Sequence, residues 1–175
     1  MSAAIHVSAD GVLEIAGTRY RCSLGEKGVT GDKREGDLKT PLGSFELMEC
    51  WYRADRLDAP KTGLPLRIIQ KDDGWCDDVK SPFYNQPVKL PFEPSHEELW
   101  REDEKYDIIV TLGYNVKPLI PGKGSAIFFH VAPADYPSTQ GCVGLVRADL
   151  LEVLKYATPE TLFCVKADYP EAVGY

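Results

Sequence analysis

The chain has 175 residues, 43% hydrophobic and 27% charged, which suits one domain with a core of ordinary size and needs no stapling by disulfides. Its formal net charge of -7 argues against nucleic acid as the main partner, since phosphate binding needs a basic surface. No run of eighteen apolar residues occurs, so no transmembrane segment is expected, and the first ten residues have neither the basic start nor the apolar centre of a secretory signal. Fifteen glycines and thirteen prolines, about a sixth of the chain, favour turns and shaped loops over a helical bundle.

Short strands open the chain. Ile5 to Val7, Val12 to Ile15 and Tyr20 to Leu24 are separated by Asp10-Gly11 and Gly17-Thr18, and Asp-Gly between alternating apolar runs signals a hairpin. Residues 25–44 then read as a long polar loop, with Lys27, Lys33, Arg34 and Lys39 forming a basic cluster on an acidic protein. A loop of that length in a compact domain is usually functional or mobile. A strand resumes over Phe45 to Met48. Six prolines between positions 60 and 94 forbid a long helix in the aromatic-rich stretch that follows. Ser95-His96-Glu97-Glu98 looks like a capping box opening a short helix to about Lys105. Tyr106 to Leu112 and Ala126 to His130 are apolar runs of strand length, expected to pair antiparallel. Arg147 to Tyr156 carries an apolar helical face in Leu150, Leu151, Val153 and Leu154, and Thr161 to Lys166 reads as a last strand. The expected fold is mainly β with two short helices in a single domain spanning residues 1–175.

Five cysteines, at 22, 50, 76, 142 and 164, have no zinc-finger spacing, and an odd count leaves at least one thiol free. Cys22, Cys50 and Cys164 sit in apolar surroundings that suit buried thiols. Cys142 differs. It stands twelve residues after His130, which ends an apolar strand, and the intervening loop is long enough to fold the thiol back onto the imidazole. A cysteine becomes an effective nucleophile when a neighbouring base takes its proton, which casts Cys142 as nucleophile and His130 as general base. Gly141 permits unusual backbone geometry and would let the amides at 141 and 142 face a developing oxyanion.

Phe129-His130, followed by Ser138-Thr139-Gln140-Gly141-Cys142-Val143, resembles the signature of YkuD-type L,D-transpeptidases. Lys39-Thr40-Pro41-Leu42-Gly43-Ser44-Phe45 resembles the family's upstream Thr-Pro-x-Gly-x-Phe entry, so the likeness covers roughly residues 5–166. It implies a β-sandwich catalytic domain that forms a thioester on Cys142 from a peptidoglycan stem peptide and passes the acyl group to an amine on a second stem. It also implies a periplasmic or cell-envelope location, sensitivity to carbapenem-type inhibitors, and no metal or organic cofactor.

Departures from the family pattern bear on the substrate. Gln140 stands where a histidine is usual, Gly144 where an arginine is usual, and Val131 where a small residue is usual. Arg147, or Lys33 and Arg34 in the polar loop, are candidates for the missing cation. Thr139 and Gln140 beside the cysteine, and Trp75, Tyr84 and Asn85 in the irregular stretch, are candidates for lining the substrate groove. Tyr114 and Asn115 are expected to lie away from His130. Residues 33–37 (KREGD), 40–43 (TPLG), 74–78 (GWCDD), 84–85 (YN) and 139–145 (TQGCVGL) together resemble a divergent proteobacterial branch, some of whose relatives make 1,3-type cross-links between L-Ala and diaminopimelate. A hydrolase with water as acceptor and a non-catalytic wall-binding module are the competing readings.

Overall fold

A computed structural model describes residues 3–168. Its main sheet is built from β1 (Ile5–Ser8), β2 (Val12–Ile15), β3 (Thr18–Arg21), β6 (Gly43–Tyr52), β7 (Leu66–Ile68), β11 (Ile108–Leu112), β12 (Phe128–Val131), β13 (Val143–Leu145) and β14 (Leu162–Lys166). The order is β13-β12-β11-β6-β14-β1-β2-β3, with β7 added beside β6. The ten-residue β6 joins the two halves. Gly43 to Glu46 pair with β14, and Leu47 to Tyr52 pair with β11 across a register shift. Beyond β3 the chain returns to the opposite edge, where the Ser23 amide donates to the Gly144 carbonyl at 2.8 Å and the Gly144 amide to the Ser23 carbonyl at 3.1 Å. That bridge nearly closes the sheet into a barrel-like sandwich by joining β13 to the chain just beyond β3.

Side-chain alternation divides the sheet's two faces. In β11 and β12, Ile108, Val110, Leu112, Phe129 and Val131 enter the main core with Ile5, Leu13, Leu47, Val143 and Phe163. The helix α1 (Arg147–Leu154) seals this core with Leu150, Val153 and Leu154. Ile109 and Phe128 point the other way, into a second apolar cluster with Trp51, Ile69, Leu99, Tyr106 and Cys142. That outer face is covered by a three-stranded sheet of β8 (Asp73–Cys76), β9 (Pro87–Lys89) and β10 (His96–Glu98), in the order β10-β8-β9. Trp75 of β8 makes edge contacts with Trp51, 6.2 Å between centroids, and Phe128, 4.9 Å.

The mainly β expectation holds, and so do the strand pairing of β11 with β12, the helix at 147 and the last strand. The second helix does not form: α1 is the single α-helix among the described residues. Residues 96–98 are strand β10, whose His96, Glu97 and Glu98 pair with Cys76, Trp75 and Gly74. Local capping chemistry is outweighed there by ladder bonds to β8 and by burial of Leu99 against Trp51. The polar loop at 25–44 is also more ordered than its composition suggests. It holds the short parallel pair β4 (Val29–Thr30) and β5 (Thr40–Pro41), and Asp37 accepts from the Lys33 ammonium and from the amides of Arg34 and Lys39.

Candidate active site

Cys142 and His130 are brought together by strand register. β12 and β13 run parallel, with Phe129 level with Val143 and His130 level with Gly144. Cys142, just before β13, therefore falls beside Phe128, on the same outward face as His130 and one diagonal step from it. Both residues line one cavity of about 280 Å³ between the outer face of the main sheet and the small sheet. Cys142 is buried, with 8% of the residue exposed. It accepts the Phe128 N–H at 3.3 Å and donates to the Ala126 carbonyl at 3.2 Å. The His130 ring meets the Val131 carbonyl through Nδ1 at 2.8 Å. A carbonyl can only accept, so Nδ1 carries the proton and Nε2 is left as the basic nitrogen. The edge of Tyr106 packs on the imidazole with centroids 5.5 Å apart, and the Tyr106 hydroxyl donates to Glu97 at 2.8 Å.

Burial sets the protonation of this pair. Desolvation holds the His130 imidazole down at about 4, against the favourable bond to Val131. Desolvation pushes the Cys142 thiol up to about 12, and the nearby Glu97 carboxylate adds to the rise. The Phe128 amide and the Lys33 ammonium pull the thiol the other way, because both favour a thiolate. Glu97 is itself raised, by desolvation first and then by Asp77 and Glu35.

The remaining candidates divide into those at the cavity and those behind it. Lys33, Thr139 and Gln140 line it. Lys33 is 5% exposed and paired with Asp37, with its aliphatic stem running past Gly124 and Gly141. Thr139 clamps the turn, its hydroxyl donating to the Cys142 carbonyl at 2.6 Å and accepting the Gly141 amide at 3.1 Å. The Gly141 N–H is thus occupied by Thr139 rather than open to an oxyanion. What Gly141 supplies is room: it sits at φ +139°, and a Cβ there would come within 2.8 Å of the Lys39 carbonyl.

Arg34 is not at the cavity; it is exposed and pairs with Asp32. Nor is Arg147 available as a substrate cation. Its guanidinium is bound to Asp107, which also holds Arg56 at 2.7 Å, and it does not line the cavity. Trp75, Tyr84 and Asn85 lie behind the cavity as scaffold, not along it. The Tyr84 hydroxyl donates to Glu35 at 2.6 Å and accepts the Gly124 amide at 2.9 Å. Asn85 accepts from the Trp75 indole and the Ala126 amide and donates to the carbonyls of Tyr114 and Asn115.

Ser23, Glu35, Asp77, Glu97, Arg101 and Lys105 line the cavity and are not apparent in the sequence. They come from five separate segments, and no local spacing marks them. Among the described residues, no group of three or more His, Cys, Asp or Glu side chains is arranged to hold a metal ion.

The family pattern of the YkuD L,D-transpeptidase catalytic domain matches residues 7–166. The chain belongs to that family. Among solved structures, this YkuD domain resembles the Bd1075 protein of Bdellovibrio bacteriovorus at 16% identity and a TM-score of 0.51, covering 94% of this chain and 47% of that one. The helical cell shape determining protein Pgp2 of Campylobacter jejuni aligns at 15% identity and a TM-score of 0.48, covering 96% and 48%. L,D-transpeptidase 1 of Mycobacterium tuberculosis aligns at 13% identity and a TM-score of 0.42, covering 94% and 58%. The chain therefore spans roughly half the length of the solved structures it matches, and at such identities the first of them supports the YkuD fold alone. No curated protein matches the sequence.

Proposed function

We propose that this YkuD domain is a cysteine-dependent L,D-transpeptidase that works on peptidoglycan stem peptides in the cell envelope. The observation that carries the proposal is the sharing of one cavity by Cys142 and His130, on the same face of adjacent parallel strands. In the resting state the thiol proton is directed at the Ala126 carbonyl. With a stem peptide bound, the thiol turns toward Nε2 of His130, which takes its proton as the sulfur attacks the carbonyl after an L-centre. The His130 proton passes to the leaving amine as the C–N bond breaks, leaving a thioester on Cys142. A second stem's amine then attacks, gives its proton to Nε2, and expels the thiolate with a new amide bond formed. The Phe128 amide and Lys33 stabilise the sulfur anion in both steps. Gly144, in place of the family's usual arginine, leaves carboxylate recognition to another group, and the resemblance to a branch with 1,3-type relatives makes joining of L-Ala to diaminopimelate the expected cross-link.

Purified muropeptides incubated with the wild type and with Cys142→Ala, and read by mass spectrometry, test this. Cross-linked dimers from the wild type alone are expected. A trimmed monomer in their place would make the enzyme a hydrolase with water as acceptor. Neither product, together with no carbapenem adduct on Cys142, would leave only a wall-binding module.

A further inference from the structure

Among the described residues, the fixed cations lining the reaction cavity are Lys33, Arg101 and Lys105. Two of them are committed inside the fold. Lys33 gives its ammonium to Asp37 and, at 3.0 Å, to the Arg34 carbonyl. Arg101 grips both oxygens of Asp103 and lays its guanidinium over the Tyr106 ring, 5.2 Å from the centroid. Lys105 differs. Its ammonium has no hydrogen bond or ion pair among the described residues, and the residue is half-buried rather than sealed. Its three N–H donors therefore stay within reach of a molecule bound in the cavity.

The chain fixes Lys105 beside the base. Its carbonyl accepts the Val131 amide at 3.2 Å and its own amide donates to Asp103 at 3.1 Å, which pins the backbone next to the residue after His130. Among charged groups Lys105 acts most strongly on the imidazole, opposing a second ring proton. The sulfur end of the cavity has the opposite sign. Glu97 is the carboxylate that acts on the Cys142 thiol, and Asp77 and Glu35 act on Glu97 in turn. A substrate carboxylate is therefore repelled from the sulfur end and drawn to the imidazole end.

Amines are handled at that same end. In the acyl transfer proposed above, the departing and the incoming nitrogen both meet Nε2 of His130. Where that nitrogen is the α-nitrogen of an amino acid, its carboxylate is only two bonds away and comes to the cationic end with it. Pairing of that carboxylate with Lys105 also offsets the charge that opposes ring protonation, at the step where the ring takes the thiol proton.

We propose that Lys105 is a substrate-binding residue whose ammonium holds the free carboxylate α to the nitrogen that His130 serves. The assignment rests on the acyl-transfer reading of the cavity and names its amine class: amino-acid amines with a free α-carboxylate, in preference to amidated ones.

Calorimetric binding of synthetic stem tetrapeptides to the acylation-incompetent Cys142→Ala protein, with and without Lys105→Met, tests this. The probes are the free peptide and two amides, one at the C-terminal carboxylate and one at the α-carboxylate of the second residue. Each amide removes the carboxylate beside one of the two bonds that follow an L-centre. The amide at the reacting bond is expected to bind about tenfold more weakly than the free peptide, the worth of one charge-assisted hydrogen bond at a half-buried site. Lys105→Met should abolish that difference by weakening the free peptide to the level of the amide, and Lys105→Arg should restore it. Both amides binding as tightly as the free peptide, a penalty that persists in Lys105→Met, equal weakening of all three peptides, or no binding would each overturn the assignment. A Lys105-dependent penalty in a protein whose wild type forms no thioester would keep the carboxylate site and remove acyl transfer. A thioester on wild-type Cys142 with no such penalty would do the reverse.

Discussion

Cys142 and His130 are both uncharged at rest. With the imidazole held at about 4 and the thiol at about 12, neutral pH finds a thiol beside a neutral imidazole and not a thiolate–imidazolium pair. A base must be deprotonated to work, so the acid limb of kcat/KM should lie near pH 4 instead of the ordinary histidine value of about 6.5. A limb at the ordinary value would mean that the ring is solvated in the working enzyme. Stability follows the same sign. The unfolded chain takes up the His130 proton before the folded one does. The contribution is therefore full above about 6.5 and is lost as pH falls toward 4, on the order of 3 kcal/mol for a difference of about 2.5 units. Melting temperatures of the wild type and His130→Gln, compared from about pH 7 to 4, should show a shallower acid loss in the variant.

Elements behind the cavity hold the thiol in its resting place. The Ala126 carbonyl receives the thiol proton, and the Ala126 amide donates to Asn85 at 3.0 Å. The same Asn85 side chain fastens the other end of the loop through Tyr114 and Asn115. Asn85→Ala would leave one buried amide, the Trp75 indole N–H and two carbonyls without this partner, a loss of about 2–4 kcal/mol of stability. It would also release the strap on Ala126. Mass-spectrometric timing of iodoacetamide labelling should then show Cys142 reacting faster than in the parent, with the other four buried thiols unchanged. Equal acceleration at all five would point to global loosening instead. Tyr114 and Asn115 are not among the cavity-lining residues, and their carbonyls serve to hold Asn85.

Across the whole molecule, closure of the sheet decides whether the cavity exists. Three contacts bring residues 23–26 to the segment around the nucleophile: the Ser23–Gly144 bridge, the Thr139 amide to the Leu24 carbonyl, and the Glu26 amide to the Thr139 carbonyl. Gly25 lies in the middle of them. A Cβ there would come within 2.6 Å of the Leu38 carbonyl and 2.9 Å of the Lys39 Cα and the Thr40 nitrogen, all backbone atoms. Gly25→Ala should cost about 2–3 kcal/mol in urea unfolding, because backbone cannot move aside as a flexible side chain would. It should also lower acylation of Cys142 in the molecules that remain folded, since the polar loop and the cysteine turn share this joint. A second tie acts at the helix. Asp107, 1% exposed and bound by both Arg56 and Arg147, anchors the start of α1 to the approach to β11.

How much could be read in advance follows from range. The β-rich character, β11 and β12, α1, the buried cysteines and the choice of Cys142 and His130, which line one cavity, rest on apolar runs, alternation and motifs, which are properties of neighbours in the chain. The segment at 95–105 misled because Glu97 and Glu98 satisfy a helix-start pattern locally, while the open edge of β8 offers them ladder bonds that no local pattern reveals. Charges were the least legible feature. Arg147 is held by Asp107 and Arg34 pairs with Asp32 away from the cavity, while Glu97, Asp77 and Arg101 line it instead. Ser23 stands more than a hundred positions from the glycine it bridges. The order of residues alone determined a β domain and singled out Cys142 and His130 as the proposed nucleophile and base. Which polar groups surround that pair was decided only by strand pairing at long range, because the partner of a buried charge or hydroxyl is set by what the fold lays across from it.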